Sequence, residues 1–190
     1  MKYSVGLTAA LGVLLAGRVA QALPMLSVDV DPATSGIQTS ITVVVGSTFS
    51  VDVRVDDVSG LFAYDIDVDH NPAVLDATNV TEGPFLASGG TTFFSPDDSS
   101  NPVNVVATLL SVVTGVSGSG VLYSIEYSAL APGVSTLEFT LADLADDQQT
   151  TIEVGLSGAS VTVVERVPVP STLLMLGIGV AGLVAARRRS

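Results

Sequence analysis

Apolar residues fall on every second position from Phe49 onward: Phe49, Val51, Val53 and Val55, with Ser50, Asp52, Arg54 and Asp56 between them. Successive side chains of a strand point to opposite faces, so this spacing predicts a half-buried strand with one wet face. A helix would need apolar positions three and four apart, which the run lacks. Asp57-Val58-Ser59-Gly60 then supplies turn chemistry. A second alternating run places Phe62, Tyr64, Ile66 and Val68 inward and Ala63, Asp65, Asp67 and Asp69 outward. It stops at Asn71-Pro72, because proline has no amide hydrogen for a ladder and restricts the residue before it. The two runs read as an antiparallel pair joined at 57–60. Such a pair is not stable alone in water and must pack on a second sheet.

Similar patterning continues on both sides. Short strands are predicted at 26–30, ended by Asp31-Pro32, and at 41–45, with a turn and strand over 74–80. Residues 83–101 are loop-rich around the apolar pair Phe93-Phe94, with Gly89-Gly90 before it and Pro96-Asp97-Asp98 after it. The run 103–113 is almost continuously apolar, which predicts a strand buried on both faces or at a contact. Val121, Tyr123, Ile125 and Tyr127 alternate with Leu122, Ser124, Glu126 and Ser128. Leu137, Phe139 and Leu141 repeat the spacing, as do Ile152, Val154 and Leu156, and Val161 with Val163 closes the domain. About nine short strands with turn signals between them predict an all-β, antiparallel sandwich over residues 23–165.

The order of these segments resembles the cohesin domain. It is carried by Val45-Gly46-Ser47-Thr48-Phe49, then Gly60-Leu61-Phe62-Ala63-Tyr64-Asp65-Ile66, then Asn71-Pro72-Ala73-Val74-Leu75. A second block agrees, Gly118-Ser119-Gly120-Val121-Leu122 leading to Ala131-Pro132-Gly133-Val134-Ser135-Thr136-Leu137. His70-Asn71-Pro72 stands where the family has an aromatic-Asp-Pro turn. The likeness runs from about residue 26 to 164. It implies a cohesin-like jelly-roll sandwich and a non-catalytic module that recognises a dockerin-type protein, itself a small calcium-loaded domain. It also implies contact through the sheet that holds the strand before the Asn-Pro turn. On this chain that marks Ala63, Asp65, Asp67 and Asn71 as the partner-binding face, with Leu122, Ser124 and Glu126 as weaker candidates.

Composition narrows the setting. The 190 residues allow one domain plus appendages, and with no cysteine there is no disulfide or thiolate chemistry. All nineteen acidic residues lie between Asp29 and Glu165, where Arg54 is the single basic residue. A field of that sign repels phosphates and anionic lipid, which excludes nucleic-acid binding. It suits an extracellular surface or one that attracts cations.

Both ends read as targeting segments. Residues 1–22 form a signal peptide: Lys2, an apolar stretch over 5–17, and Ala20-Gln21-Ala22 as the cleavage site. Residues 166–190 carry Val167, Pro168, Val169, Pro170 and Ser171, an apolar run over 172–186, and the basic end Arg187-Arg188-Arg189-Ser190. This resembles the PEP-CTERM sorting tail, with Val169 where the family signature has glutamate. The resemblance implies a substrate of an exosortase, which recognises the proline motif and removes the helix. Fifteen residues of helix span only about 22 Å, so the hydrocarbon layer must thin or the flanking arginines snorkel. The terminal arginines Arg187, Arg188 and Arg189 hold that boundary in the cytoplasm. The expected life history is export, an inner-membrane-anchored precursor, and then the cell surface or exterior of a Gram-negative bacterium.

Candidate chemistry is sparse. Asp65, Asp67, Asp69, Asn71 and Asp76 match the ligand spacing of an EF-hand loop, but His70 replaces its glycine and Pro72 interrupts it. Asp143, Asp146 and Asp147 form a candidate calcium site in a turn between strands, where carboxylates and carbonyls could hold a hard cation. His70, the single histidine, lacks a nucleophile elbow and a second metal ligand, so no enzyme is expected. Asn79-Val80-Thr81 fits a glycosylation sequon, a pattern that usually arises by chance in a bacterial protein. Tyr64, Tyr123 and Tyr127 fall on inward positions and tryptophan is absent, which leaves few platforms for sugar rings. The alternative function is a structural component of an exopolysaccharide matrix with weak carbohydrate binding.

Overall fold

The computed structural model describes residues 22–110 and 114–166. Most of the expected signal peptide, together with the proline motif, apolar helix and basic end of the tail, lies outside the described residues. The strands are β1 (Met25–Asp29), β2 (Ser40–Val44), β3 (Thr48–Asp69), β4 (Leu75–Glu82), β5 (Thr92–Asp97), β6 (Val103–Leu109), β7 (Val116–Ala129), β8 (Gly133–Asp146), β9 (Gly155–Ser157) and β10 (Ala159–Val164). One short helix, α1 (Pro84–Ala87), sits between β4 and β5. Among the described residues no helix is long and apolar enough to cross a membrane.

The expected hairpin at 57–60 does not exist. Residues 48–69 form one strand of 22 residues. Straight, it would run about 70 Å, far longer than a domain of this size, so it has to bend. The turn residues supply that bend as bulges. Asp57 and Gly60 have φ of 57° and 70°, and the register against β7 slips between Val55 and Val58 and again between Val58 and Leu61. Each slip resets which positions face the core. The buried set passes from Val51, Val53 and Val55 through Val58 and Leu61 to Tyr64, Ile66 and Val68. Leu61 takes the buried place expected for Phe62, which is only partly covered.

The bend makes β3 a member of both layers. Its first half lies between β7 on one side and β1 on the other. Its second half lies between β6 and β8. One layer therefore runs β4-β7-β3-β1-β9 and the other β5-β6-β3-β8-β10-β2. A single apolar core fills the space between them. Tyr64 and Tyr123 stack across it with ring centroids 6.1 Å apart, and the Tyr64 hydroxyl donates to the Leu122 carbonyl at 3.2 Å. The two layers are thus held by packing plus a polar contact.

Of the two expectations for the run 103–113, burial on both faces or a place at a contact, residues 103–109 overturn the first. They alternate, with Val103, Val105, Ala107 and Leu109 in the core and Asn104, Val106 and Thr108 on the outer side. Near the N-terminus the buried Asp29 carboxylate organises the loop before β2, accepting the amide hydrogens of Asp31 and Gln38 at 3.2 and 3.1 Å.

The bend of β3 is sterically tight. A Cβ on Gly115 would collide with the carbonyl of Gly60, a backbone group that cannot swing aside. Gly115→Ala is expected to lower the unfolding free energy by about 3 kcal/mol in a denaturant titration. Gly46 has φ of 80° and open space around it, so Gly46→Ala should cost only about 1 kcal/mol.

Candidate partner-binding face

The second layer turns one open sheet surface outward, built on the C-terminal half of β3. Ala63, Asp65 and Asp67 point out along it. Cross-strand register sets Thr108, Val106 and Asn104 beside them on β6, and Ala145, Asp143 and Leu141 beside them on β8. One strand further, β5 contributes Phe93 opposite Thr108 and Ser95 opposite Val106. Ala63, Val106, Thr108 and Ala145 floor a shallow depression of about 270 Å³, bounded by Asp65, Asp143 and Thr151. Phe93 and Leu141 flank it with 52% and 38% of their surfaces exposed. The surface thus offers an apolar floor within an acidic frame.

Asn104 fixes that frame. Its side-chain amide donates to Asp65 at 2.8 Å and also to Asp67. Donation from one neutral amide fixes the two carboxylates without neutralising them. Asp65 also faces Asp143 directly across the β3–β8 ladder. Like charges placed opposite each other cost stability. Asp69, at the end of the row, accepts from the Asn101 amide at 2.7 Å, and at the far edge Ser99 hydroxyl and amide hydrogen bonds hold the Asp97 carboxyl below its ordinary range.

The structure brings Ala63, Asp65 and Asp67 together and leaves Asn71 apart. Asn71 sits in the turn beyond β3, where its side-chain oxygen accepts from Ala73 and its amide donates to the Ser135 hydroxyl. The weaker candidates belong to the other layer. Leu122 is fully buried, because the ladder pairs Val53 with Tyr123 and Arg54 with Val121 and leaves Leu122 as the extra residue of a bulge. Ser124 donates to Asp52 at 2.6 Å and Glu126 is exposed, both on β7.

The expected calcium turn is not assembled. Asp143 faces outward beside Asp65, whereas Asp146 spends one carboxylate oxygen on the amides of Gln148 and Thr150, at 2.9 and 2.8 Å. Among the described residues no group of three or more His, Cys, Asp or Glu side chains is placed to hold a metal ion. The EF-hand spacing at Asp65, Asp67 and Asp69 is a row along one strand. Asn79, of the sequon, donates to Thr81 at 3.1 Å on the exposed side of β4.

His70 is buried and meets Tyr127 edge-on, with ring centroids 5.3 Å apart. Burial pushes its pKa below the ordinary value of 6.5, against the opposing pull of Asp69 and Asp76. Burial likewise raises the Tyr64, Tyr123 and Tyr127 phenols, which stay protonated inside the core. Sequence reasoning missed Asn104 and Phe93. The signal for Asn104 was its place, four residues before Thr108, as a polar break in an apolar strand.

Because folding favours neutral His70, the unfolded chain binds the extra proton first. The stability that His70 contributes is complete above its unfolded pKa of 6.5 and is lost as pH falls through that value toward the lower folded one. Urea midpoints measured from pH 7.5 to 5 should therefore fall more steeply for the natural chain than for His70→Gln.

The fold and the sequence place this chain among known proteins. It resembles a non-cellulosomal cohesin from the archaeon Archaeoglobus fulgidus at 15% identity, with a TM-score of 0.60 over 75% of this chain and 92% of that one. It also resembles the sixth cohesin of scaffoldin B from Acetivibrio cellulolyticus, solved in complex with a mutant Cel5 dockerin, at 16% identity and a TM-score of 0.61, covering 75% and 100%. A third likeness is the cohesin module of a family 33 glycoside hydrolase from Clostridium perfringens, at 12% identity and a TM-score of 0.57, covering 76% and 97%. No curated protein matches the chain by sequence. The PEP-CTERM protein-sorting motif matches residues 166–189, marking a secreted protein addressed to the cell envelope. The cohesin domain model matches residues 36–163, and the chain belongs to the cohesin family.

Proposed function

We propose that this chain is a non-catalytic recognition module displayed at the cell surface, and that the open β5-β6-β3-β8 surface docks a dockerin-type protein. The observation that carries the reading is the amide-clamped row of Asp65 and Asp67 beside an apolar depression. A solvated sheet face has no need to set Asp65 against Asp143 at a cost in stability; a face that meets a cationic or amphipathic partner does. The relative from Acetivibrio cellulolyticus, solved with a dockerin bound, supports the same class of partner. The sorting motif supports processing by an exosortase from an inner-membrane precursor, with Val169 in the glutamate position slowing that step. Asp143 belongs to this docking surface and not to a calcium site.

Segment 23–165 is expected to capture dockerin-bearing proteins from the source organism when calcium is present to fold them. Asp65→Lys combined with Asp67→Lys should weaken capture by about tenfold or more, some 1.4 kcal/mol, with the melting temperature little changed. Retention on exopolysaccharide with no captured protein would overturn dockerin recognition and favour the matrix-component reading. In a strain lacking exosortase, the full-length precursor should accumulate in the membrane fraction.

A further inference from the structure

The four strands that end the two layers are β4 and β9 in one and β5 and β2 in the other. Three of them are blunted against pairing with another chain. β4 carries a bulge between Ala77 and Asn79 together with Asp76 and Glu82. β5 carries Pro96 and Asp97, and β9 is only three residues long. β2 has none of these devices: Ser40, Ile41, Thr42, Val43 and Val44 include no charge and no proline, and its ladder to β10 is unbroken.

The uncharged character extends inward from that edge. The next two strands set Ser160, Thr162 and Val164 and then Thr136 and Val134 beside β2, again without charge. No acidic residue lies on β2, on β10 or on 133–137, and Glu138 and Glu165 stand at the border of this patch. Two copies of so acidic a domain repel each other at most approaches, and this side lets them meet with the least Coulomb cost.

The main chain of β2 is set up to pair. The Val45 amide donates to Val164 at 2.9 Å and the Thr39 carbonyl accepts from Ser160 at 2.9 Å, so odd-numbered residues bond toward β10. Alternate residues of a strand turn their polar groups to opposite edges, which leaves Ser40, Thr42 and the Val44 amide facing outward. Ser47 occupies the Val44 carbonyl at 3.0 Å from its amide and 2.7 Å from its hydroxyl, closing the ladder there.

We infer that β2 is a self-association edge, through which two copies of this chain join antiparallel about a two-fold axis at Thr42. Thr42 then exchanges both main-chain hydrogen bonds with Thr42 of the second copy. The same axis sets Ile41 against Val43 of the other copy, and both side chains are half-buried apolar residues at the open side of the core. The pairing is self-complementary, as a two-fold contact requires. It leaves the β5-β6-β3-β8 surface of each copy free for its own partner.

The chain has no cysteine, so one introduced thiol reports a single position. Thr42→Cys in the full-length chain should give a disulfide-linked dimer on mild oxidation of whole cells, because opposed residues of a hydrogen-bonded antiparallel pair lie about 5.5 Å apart. Thr162→Cys, one strand further in and level with Thr42, would stand about 14 Å from its mate and should cross-link about tenfold less. Equal cross-linking at both positions, or none at Thr42, would overturn the pairing. Sedimentation of the exported protein supplies an independent reading: mass should rise toward a dimer with concentration, and Thr42→Pro, which removes the central donor, should abolish the rise. A monomer at every concentration would refute the inference, and a mass above the monomer's only in the presence of another protein would assign the edge to a different occupant.

Discussion

One strand has to serve two sheets, and the rest of the molecule depends on how it does so. β3 is too long to stay flat, and its bulges at Asp57 and Gly60 turn it from one layer into the other. At that bend the backbone approaches Gly115 so closely that a side chain there has no room. The bend also sets the neighbours: β7 continues the line of β6 along one side of β3, and β1 continues the line of β8 along the other. Both layers are therefore nucleated on a single element, and the core between them is continuous.

The same arrangement explains where the acidic residues are useful. A row of aspartates on alternate positions of a strand is what solubility alone would produce. Packing the strand between β6 and β8 changes its meaning, because Asn104 then reaches two carboxylates and Asp143 is forced opposite one of them. The charges become fixed in direction beside a patch of Ala63, Val106 and Ala145. An oriented acidic frame around an apolar floor can select a partner, whereas scattered surface charge mainly keeps a protein in solution.

Charge also divides the exterior into regions with different roles. The carboxylates populate the open β5-β6-β3-β8 surface and the protected edges, while β2, β10 and the start of β8 carry none. A domain sorted to the envelope is held near copies of itself, so weak contacts gain from high local concentration. In the roles proposed for them, an uncharged edge that pairs with its own kind and a charged face that meets a different protein operate side by side.

The alternation of apolar and polar residues determined by itself that this is an all-β sandwich, which residues of most strands enter the core, and that the surface is strongly acidic. The ordered segments from Val45 to Leu75 were enough to suggest the family. Local patterning could not say whether Asp57-Val58-Ser59-Gly60 reverses the chain or kinks it, since left-handed residues serve both a hairpin turn and a bulge. The choice is made by neighbours far away in sequence, because β7 pairs straight across the kink. The same reason hid the clamp on Asp65 and Asp67, the burial of Leu122 and the dispersal of Asp143 from Asp146. Each depends on which residue of another strand stands opposite, and register between distant strands is fixed only when the whole core closes.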